Sequence, residues 1–372
     1  MRWSQWMRDE LDALQVLQRR RLIVPFDGAG VQGRVGDRAV TSFASNDYLG
    51  LSTHPTVRAA GKAAIDRFGT GAGASRLVTG TCPLHEELEH EIAAWQHTER
   101  ALVFPTGYAA NLAALSVLGA ADVTIFSDAL NHASIVDGCR LAKARTIIYR
   151  HCDVDHLASL LPLAQGRKLV VTDVVFSMDG DVAPVAAIAT LCREQDALLV
   201  LDEAHAVLEC IEALDCDVLR IGTLSKTLAS LGGWIAGSRS TIELLINCAR
   251  SFIFTTALPP ASVAAALAAL RVMQSSEGDL LRDQLRQHID MLWPQHPSPI
   301  LPFIFGTEDR AQQASARLLA RGIHVPAIRP PSVPVGTSRL RVALSSAHRP
   351  SMVSHLKGSL NDLLCTRIAP VN

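Results

Sequence analysis

The sequence predicts an α/β protein with a mostly parallel central sheet, helices on both faces of that sheet, and a smaller C-terminal α/β domain. Short apolar runs alternate with helical patterns from about residue 100 to residue 235, which is typical of a parallel sheet covered on both sides. A second alternation of helix and strand follows the double proline of SFIFTTALPP. We therefore divide the chain into an N-terminal arm (1–38), a large domain (39–260) and a small domain (261–372).

The composition is that of an ordinary globular chain with room for two sizeable cores: 372 residues, 48% hydrophobic and 19% charged. A net charge of −1 gives no support to a general nucleic-acid surface. Eight cysteines without a Cys-x-x-Cys pair favour reduced thiols over disulfides or a zinc site. The charged start MRWSQWMRDELDALQ lacks the apolar core of a signal peptide, and the alanine-rich run 261–270 is too short to span a bilayer. We expect a cytoplasmic protein with no membrane or nucleic-acid partner.

The first elements can be placed from periodicity and turn residues. Apolar positions at helical spacing predict a helix over 3–22, which ends in three arginines that are either a solvated helix end or a site for a carboxylate. The glycines of 28–36 predict a hairpin, and Pro55 marks the start of a helix over 56–68. The glycine-rich stretch 69–80 predicts either a close backbone approach to a ligand or second subunit, or a flexible loop.

A strand, a tight glycine turn and a helix follow one another between residues 101 and 118, after a helix over 83–95. A helix N-terminus after such a turn is a ready anion site, so the amides of Gly107 and Tyr108 could hold a phosphate. The next strand, over 123–126, leads to His132 just beyond its end. A lone histidine is as often structural as functional, but a flat imidazole here could stack on a flat cofactor ring.

The stretch 198–226 carries the strongest chemical signal. An apolar strand ends at Asp202, His205 follows three residues later, and a second strand over 218–221 leads to Lys226. Ligands bind outside the carboxyl ends of strands in open α/β sheets, so the acid and the amine point into one crevice. Such a pair suits pyridoxal phosphate (PLP), because the amine can form a Schiff base and the acid can keep the ring nitrogen protonated. The alternative is a helix-capping Asp202 and a solvated Lys226.

The remaining elements complete the alternation. A strand over 167–173 leads to Ser177 and an acidic glycine turn, a helix covers 186–197, and a returning strand covers 231–237. The strand 338–344 places Arg339 and Arg341 on the same face. One of them could form a bidentate pair with a carboxylate; a surface ion pair is the alternative.

Many motifs in this order resemble the α-oxoamine synthases, the fold-type I PLP-dependent acyltransferases that condense an amino acid with an acyl thioester. They run nearly end to end: FASNDYLGLSTHP, GTGAGASRLVTGT, LHEELEHEIAAW, FPTGYAAN, DALNHAS, VFSMDGDVAP, LDEAH, TLSK, TTALPP and SRLRVALSSAH. Within the family the chain is most similar to members that join a pimeloyl thioester, on CoA or a carrier protein, to L-alanine in biotin biosynthesis. The helix with Trp3, the LQRRRL run and the PPSVPVGTSRLR segment support that choice. The resemblance implies a homodimer with shared active sites.

The resemblance also implies a role for each matching residue. Lys226 would carry the cofactor and remove the Cα proton of alanine, Asp202 would bind the ring nitrogen, and His205 would bind the phenolic oxygen. His132 would stack on the ring and contact substrate, with Ser177 against the ring. Gly107, Tyr108 and Thr223 would hold the phosphate. Thr255 or Thr256 of the other subunit would also contact it, and of these two we favour Thr256. Substrate would contact Arg19, Ser332 and the carboxylate-binding Arg341.

Three features depart from the family pattern. The glycine-rich segment expected after the histidine is replaced by a shorter one that begins AVLECI at residue 206. Asp173 stands where the family has a glutamate, and Ser225 and Thr227 flank Lys226 where a glycine is expected. These changes bear on loop geometry, the dimer interface and acyl-chain selectivity more than on Schiff-base chemistry.

Two rival hypotheses follow. Within the enzymes, the chain could be another α-oxoamine synthase, such as a 2-amino-3-oxobutyrate CoA ligase or a longer-acyl variant. In a different class, it could be a non-catalytic scaffold with the PLP fold. The presence of Lys226, Asp202, His205 and His132 favours an enzyme.

Overall fold

The computed structural model describes residues 2–209, 211 and 214–365, which fall into two compact units. The central unit comprises Leu51–Ser177 and Asp181–Arg282. The terminal unit comprises the chain up to Gly50, the turn Met178–Gly180 and the chain from Asp283 onward. The predicted boundaries at 38 and 260 differ from these limits and stay a prediction.

The elements largely follow the predicted order. The helices are α1 (Trp3–Val16), α2 (Pro55–Phe68), α3 (Pro83–Trp95), α4 (Gly107–Leu118), α5 (Ala133–Leu141), α6 (Val154–Leu160), α7 (Val185–Glu194), α8 (Arg239–Cys248), α9 (Arg250–Ile253), α10 (Pro260–Met273), α11 (Ser276–Leu292), α12 (Glu308–Ala320) and α13 (Pro350–Cys365). The strands are β1 (Asp27–Ala29), β2 (Gln32–Val35), β3 (Arg38–Ser42), β4 (Arg100–Phe104), β5 (Val123–Asp128), β6 (Arg145–Tyr149), β7 (Arg167–Asp173), β8 (Ala197–Asp202), β9 (Val218–Thr223), β10 (Gly233–Gly237), β11 (Ile300–Gly306), β12 (Ile323–His324), β13 (Ala327–Ile328) and β14 (Ser338–Ala343). No helix in these described ranges is both long enough and apolar enough to cross a membrane.

The central unit is built on a seven-stranded sheet in the order β4-β10-β9-β8-β7-β5-β6. Strand β10 runs antiparallel to both of its neighbours, β4 and β9, while the other neighbouring pairs are parallel. Helices cover both sides of the sheet, so the predicted mostly parallel α/β architecture is confirmed. As a result, the carboxyl ends of β4, β5, β7, β8 and β9 share one edge, while β10 runs the other way.

The apolar runs of the sequence form these strands because the sheet is buried on both faces. Every residue of β5 is buried, and so is nearly all of β8. Their side chains join a core with α4, α5, α8 and α9. Full burial of each such aliphatic side chain contributes about 1.5–3 kcal/mol, so this core fixes the strand ends with little freedom.

Within the glycine-rich stretch 69–80, the backbone at Gly80 lies close to the backbone carbonyls of Ala74 and Ser75. A Cβ on Gly80 would lie 2.2 Å from the carbonyl oxygen of Ala74, so this position requires glycine. Arg76 anchors the same stretch by a 2.8 Å ion pair with Glu89 of α3. Approach of a ligand or second subunit to this loop stays a prediction.

The terminal unit has a four-stranded sheet in the order β1-β2-β3-β12 and a three-stranded sheet in the order β11-β14-β13. The predicted hairpin over 28–36 and the strand at 338–344 are both present. The first helix is shorter than predicted, because it ends at Val16 and Gln18 has a left-handed φ of 56°. The arginines at 19–21 therefore follow the helix and do not form its last turn.

Candidate active site

The shared edge of the central sheet brings together side chains from distant parts of the sequence. Asp202 is the last residue of β8, and Lys226 lies three residues beyond the end of β9. His132 lies four residues beyond β5, and α4 begins at Gly107, shortly after β4. The strands β5 and β9 each extend two residues beyond their predicted ends, and all these residues lie at the edge where open α/β sheets bind ligands.

Lys226 is held next to His205 at this edge. Its Nζ lies 2.7 Å from Nε2 of His205, whose side chain is buried. The chain then reverses at Ala229, which has a left-handed φ of 50° and donates its backbone N–H to the Lys226 carbonyl at 2.9 Å. A primary amine is therefore fixed beside a group with which it can share a proton, an arrangement suited to a nucleophilic lysine.

Asp202 is a buried carboxylate with both oxygens engaged. Its Oδ1 accepts the backbone N–H of Ala204 at 2.9 Å, and its Oδ2 accepts Nδ2–H of Asn111 at 2.6 Å. Charge-assisted hydrogen bonds of this kind hold the anionic form in a defined orientation. The site thus contains a fixed negative charge at the end of the central strand.

Asn111 links this carboxylate to His132. Its two amide protons go to Asp202 and to Ser134 Oγ, the latter at 2.9 Å. Ser134 Oγ lies 2.7 Å from Nδ1 of His132, and Nδ1 also lies 3.2 Å from the Ser134 backbone N–H. We therefore assign Nδ1 as an acceptor and the serine hydroxyl as a donor to it. Asp202, Asn111, Ser134 and His132 form one continuous hydrogen-bonded chain.

Sequence reasoning missed Asn111. The signal was present, since it is the single amide in the otherwise mostly apolar helix GYAANLAALSVL. A polar side chain amid apolar neighbours must find a partner when it is buried.

His132 caps α5 and is mostly a neutral imidazole. Burial lowers the pKa of His132 below its ordinary value, and the negative charge of Asp202 only partly opposes this effect. Its backbone N–H donates to Oδ2 of Asp173 at 2.7 Å. A neutral ring fixed by both its backbone and its Nδ1 suits the predicted stacking role.

Asp173 stands where the family has the longer glutamate, and its carboxyl group still reaches the backbone N–H of His132. Burial, reinforced by the charge of Asp202, raises the pKa of Asp173 well above its ordinary value. The backbone N–H of His132 partly offsets that rise, because it donates to the Asp173 carboxyl group.

The N-terminus of α4 supplies the anion site. The side chain of Thr106 accepts the N–H of Ala109 at 3.0 Å, which leaves the amides of Gly107 and Tyr108 as first-turn donors for a ligand. A Cβ on Gly107 would lie 3.3 Å from the Cβ of Thr223, so the two segments adjoin. Thr223 Oγ1 lies 2.7 Å from Ser225 Oγ, which places two hydroxyls beside the helix end. Amides, hydroxyls and the helix dipole together favour a phosphate.

These residues fit pyridoxal phosphate. The donor set comprises a lysine amine, a fixed carboxylate, a neutral imidazole and a helix N-terminus. It matches the aldehyde, ring nitrogen, ring face and phosphate of that cofactor. Burial of the carboxylate within a satisfied network keeps its charge available for a protonated ring.

Comparison with known proteins agrees with this geometry. The sequence profile described as aminotransferase class I and II matches residues 38–360. The chain is 46% identical to the 8-amino-7-oxononanoate synthase of Anaeromyxobacter dehalogenans, with 96% of this chain and 95% of that relative covered. The chain belongs to the 8-amino-7-oxononanoate synthase family.

Solved structures give the same fold and the cofactor. Serine palmitoyltransferase from S. paucimobilis, with a bound PLP–myriocin aldimine, aligns with a TM-score of 0.89 at 27% identity and 96% coverage of each chain. The 8-amino-7-oxononanoate synthase from Francisella tularensis aligns with a TM-score of 0.73 at 26% identity, covering 88% of this chain and 99% of that one. The fold is that of the fold-type I PLP enzymes, and the cofactor is PLP.

The other site residues predicted for a member of this family lie in both units. In the central unit, Ser177 is half-buried shortly after β7, and Thr256 is exposed between α9 and α10. In the terminal unit, the buried Arg341 donates from Nη2 to Asn46 Oδ1 at 3.1 Å. Also in the terminal unit, Arg19 pairs with Glu308 at 2.8 Å, and Ser332 is exposed. The functional roles of all these residues stay predictions.

The segment that departs from the family lines a cavity. Residues 206–209, with Glu203 and Ala204 before them, contribute to a cavity of about 360 Å³, together with the aromatic rings of Trp95 and Trp234. At its wall Arg220 forms a buried 2.9 Å ion pair with Glu203, which sequence reasoning also missed. Burial raises the pKa of Glu203 to about 7, against the opposing charge of Arg220. Cys210, within the same segment, lies outside the described residues.

The Asn111 link yields a testable prediction. Asn111→Leu keeps the branched outline of the side chain but removes both donors, which leaves a buried carboxylate short of a partner. An unsatisfied buried polar group costs about 1–3 kcal/mol and a charged one more, so we expect PLP affinity to fall at least about 10-fold. Equilibrium dialysis of PLP measures the effect. Asn247→Leu, on the exposed face of α8, is the matched control; equal affinities for the two variants would contradict the proposed link.

Proposed function

We propose that the chain catalyses the decarboxylative condensation of a pimeloyl thioester with L-alanine, giving 8-amino-7-oxononanoate, CO₂ and a free thiol in biotin biosynthesis. The observation that carries the proposal is the Lys226–His205 and Asp202–Asn111 constellation at one sheet edge. It stands in a chain 46% identical to a curated synthase over 95% of that relative's length. Membership of an enzyme family with these groups intact disfavours the scaffold hypothesis.

Lys226 is the residue we assign to proton transfer. When bound, PLP supplies an electron sink that can accept the electron pair released from the substrate Cα. Lys226 Nζ would first hold the cofactor and then, once freed, take the Cα proton of alanine. His205, 2.7 Å away, would orient that amine and bind the phenolic oxygen.

The neighbouring side chains would orient the ring and the reacting bonds. Asp202 would keep the ring nitrogen protonated, and His132 would cover one ring face, with Ser177 against the ring. Gly107, Tyr108 and Thr223 would hold the phosphate. Fixing the ring in this way, together with a grip on the substrate carboxylate, would select which bond at Cα breaks.

We assign Arg341 to a substrate carboxylate, because a buried guanidinium is a bidentate partner for that group. Arg19 and Ser332 are assigned to substrate contacts from the resemblance. We also propose a homodimer in which the exposed Thr256 reaches the phosphate of the second copy. A cytoplasmic location is supported by the scattered thiols, of which Cys82, Cys139, Cys152, Cys192, Cys216 and Cys248 are free.

The second candidate is another α-oxoamine synthase. The observation in its favour is the higher TM-score to serine palmitoyltransferase, 0.89 against 0.73 for the solved 8-amino-7-oxononanoate synthase. The two candidate functions differ in the acyl chain that the enzyme accepts. The altered segment after His205 bears on that selectivity.

An assay of purified holoenzyme tests the proposal. Pimeloyl-CoA, pimeloyl-carrier protein and palmitoyl-CoA are each paired with alanine, glycine and serine, and products are measured by mass spectrometry. We expect 8-amino-7-oxononanoate from a pimeloyl donor with alanine, and labelled CO₂ from alanine labelled at its carboxyl carbon. Turnover with glycine or serine, and none with alanine, would instead support the second candidate.

A further inference from the structure

A histidine that does not touch the reacting groups lies between two carboxylates of the central unit. His151, which follows β6, has its Nδ1 2.9 Å from Oδ1 of Asp128 and its Nε2 2.6 Å from Oδ2 of Asp181. Both ring nitrogens can therefore donate at once, which only the imidazolium can do. These hydrogen bonds raise the pKa of His151 to about 12, so the ring stays charged at neutral pH.

Asp128, the first carboxylate, fixes the loop that ends at His132. Its side chain is buried, and besides His151 it accepts the backbone N–H of Leu130 at 2.8 Å and that of Cys152 at 2.8 Å. Asn131 fixes the end of this loop next to His132, because its side-chain amide donates to the Val171 carbonyl at 2.8 Å. Displacement of Asp128 would therefore move His132.

Asp181, the second carboxylate, lies beside the strand end that carries Ser177. The backbone N–H of Phe176 donates to the Asp181 carbonyl at 3.0 Å, and Val175 forms a bridge with Val182. The ring of Phe176 packs edge-on against His151, with centroids 4.4 Å apart. Ser177 is thus one residue from a segment that His151 contacts through both a ring and a carboxylate.

A metal site is the competing interpretation, because Asp128, His151 and Cys152 are ligand types that lie close together. The Cys152 sulfur lies 3.7 Å from Nε2 of His151, a spacing compatible with two ligands of one ion. A ligating nitrogen must offer a lone pair, however, and both nitrogens here face carboxylates at hydrogen-bond distance. The positive charge that balances the two carboxylates is the imidazolium itself.

We propose that His151 is a positioning residue, whose cationic ring ties the loop ending at His132 to the segment carrying Ser177. It thereby sets the separation of two groups that flank the cofactor ring. The proposal rests on the proposed placement of His132 and Ser177 against the cofactor, and it adds a residue that the family resemblance did not supply.

The test compares His151→Gln with wild type as PLP-loaded enzyme. Glutamine can bond to one carboxylate but cannot bridge two as a cation. We expect unchanged PLP incorporation at Lys226 after borohydride, a visible circular dichroism band of PLP at least halved, and kcat reduced about tenfold with KM values within twofold. His151→Arg, which keeps the charge and can donate to both sides, is expected to recover part of the band. His90→Gln, on an exposed position of α3, is the matched control.

Asp181→Asn provides the same test if His151→Gln fails to fold, because Asp181 is partly exposed and the buried Asp128 keeps its partner. An unchanged dichroism band and kcat with only a lower melting temperature would reduce His151 to a structural role. Zinc binding by wild type that His151→Gln abolishes, measured by equilibrium dialysis, would also overturn the proposal. The dichroism band needs no substrate, so it decides the proposal even if pimeloyl thioesters and alanine give no product.

Discussion

Lys226→Ala is expected to lower turnover by at least about 10³-fold, since one amine both holds the cofactor and moves the Cα proton. The fold should be unaffected, because Lys226 lies in a turn beyond β9 and not in the core. Product formation by mass spectrometry measures the loss. Borohydride treatment and peptide mapping should fix the cofactor to Lys226 in wild type and to no residue in the variant.

Two further variants distinguish the role of Lys226 as a base from the effect of its positive charge. Lys226→Arg keeps a cation, but a guanidinium stays protonated and cannot act as a base, so it should be as inactive as alanine. Lys62→Ala removes an exposed lysine of α2 and should leave turnover unchanged. An alanine variant at 226 with more than a tenth of wild-type activity would exclude Lys226 as the base.

The strand ends of this fold could be predicted because each depends on local pattern. Apolar runs long enough to be buried on both faces locate β5, β8 and β9, and the polar residues after them must lie at the carboxyl edge. Asp202, His132 and Lys226 follow from that rule alone. The rule says nothing about which further side chain each one touches.

Contacts between distant segments were beyond sequence reasoning. Asn111 and Asp202 are separated by 91 positions, and they meet only because α4 packs against the sheet whose strand β8 ends at Asp202. His151 pairs with Asp128, 23 positions away, and with Asp181, 30 positions away. Its sequence neighbourhood, RHCD, contains no periodic or turn signal that distinguishes a bridging cation from a solvated histidine. Such residues become visible only when the carboxylates around them are known.

Asp202→Asn is expected to lower kcat by roughly 10²- to 10⁴-fold, since a neutral amide cannot stabilise a protonated ring nitrogen in a buried site. The substitution preserves shape, and the new carbonyl oxygen can still accept the Asn111 amide proton, so the link to His132 should persist. The bond from the Ala204 backbone N–H is lost, because an amide offers one acceptor oxygen where the carboxylate offers two. Exchange of the alanine Cα hydrogen with deuterated water, followed by NMR, isolates the proton-removal step and should slow by a similar factor.

The matched control for this variant is Asp217→Asn, an exposed carboxylate at the opposite end of the neighbouring strand β9. It carries the same change in charge and should exchange hydrogen at the wild-type rate. If Asp202→Asn exchanged hydrogen as fast as this control, the ring would not need a protonated nitrogen. The electron sink would then depend on His205 at the phenolic oxygen, and Asp202 would serve only to orient Asn111.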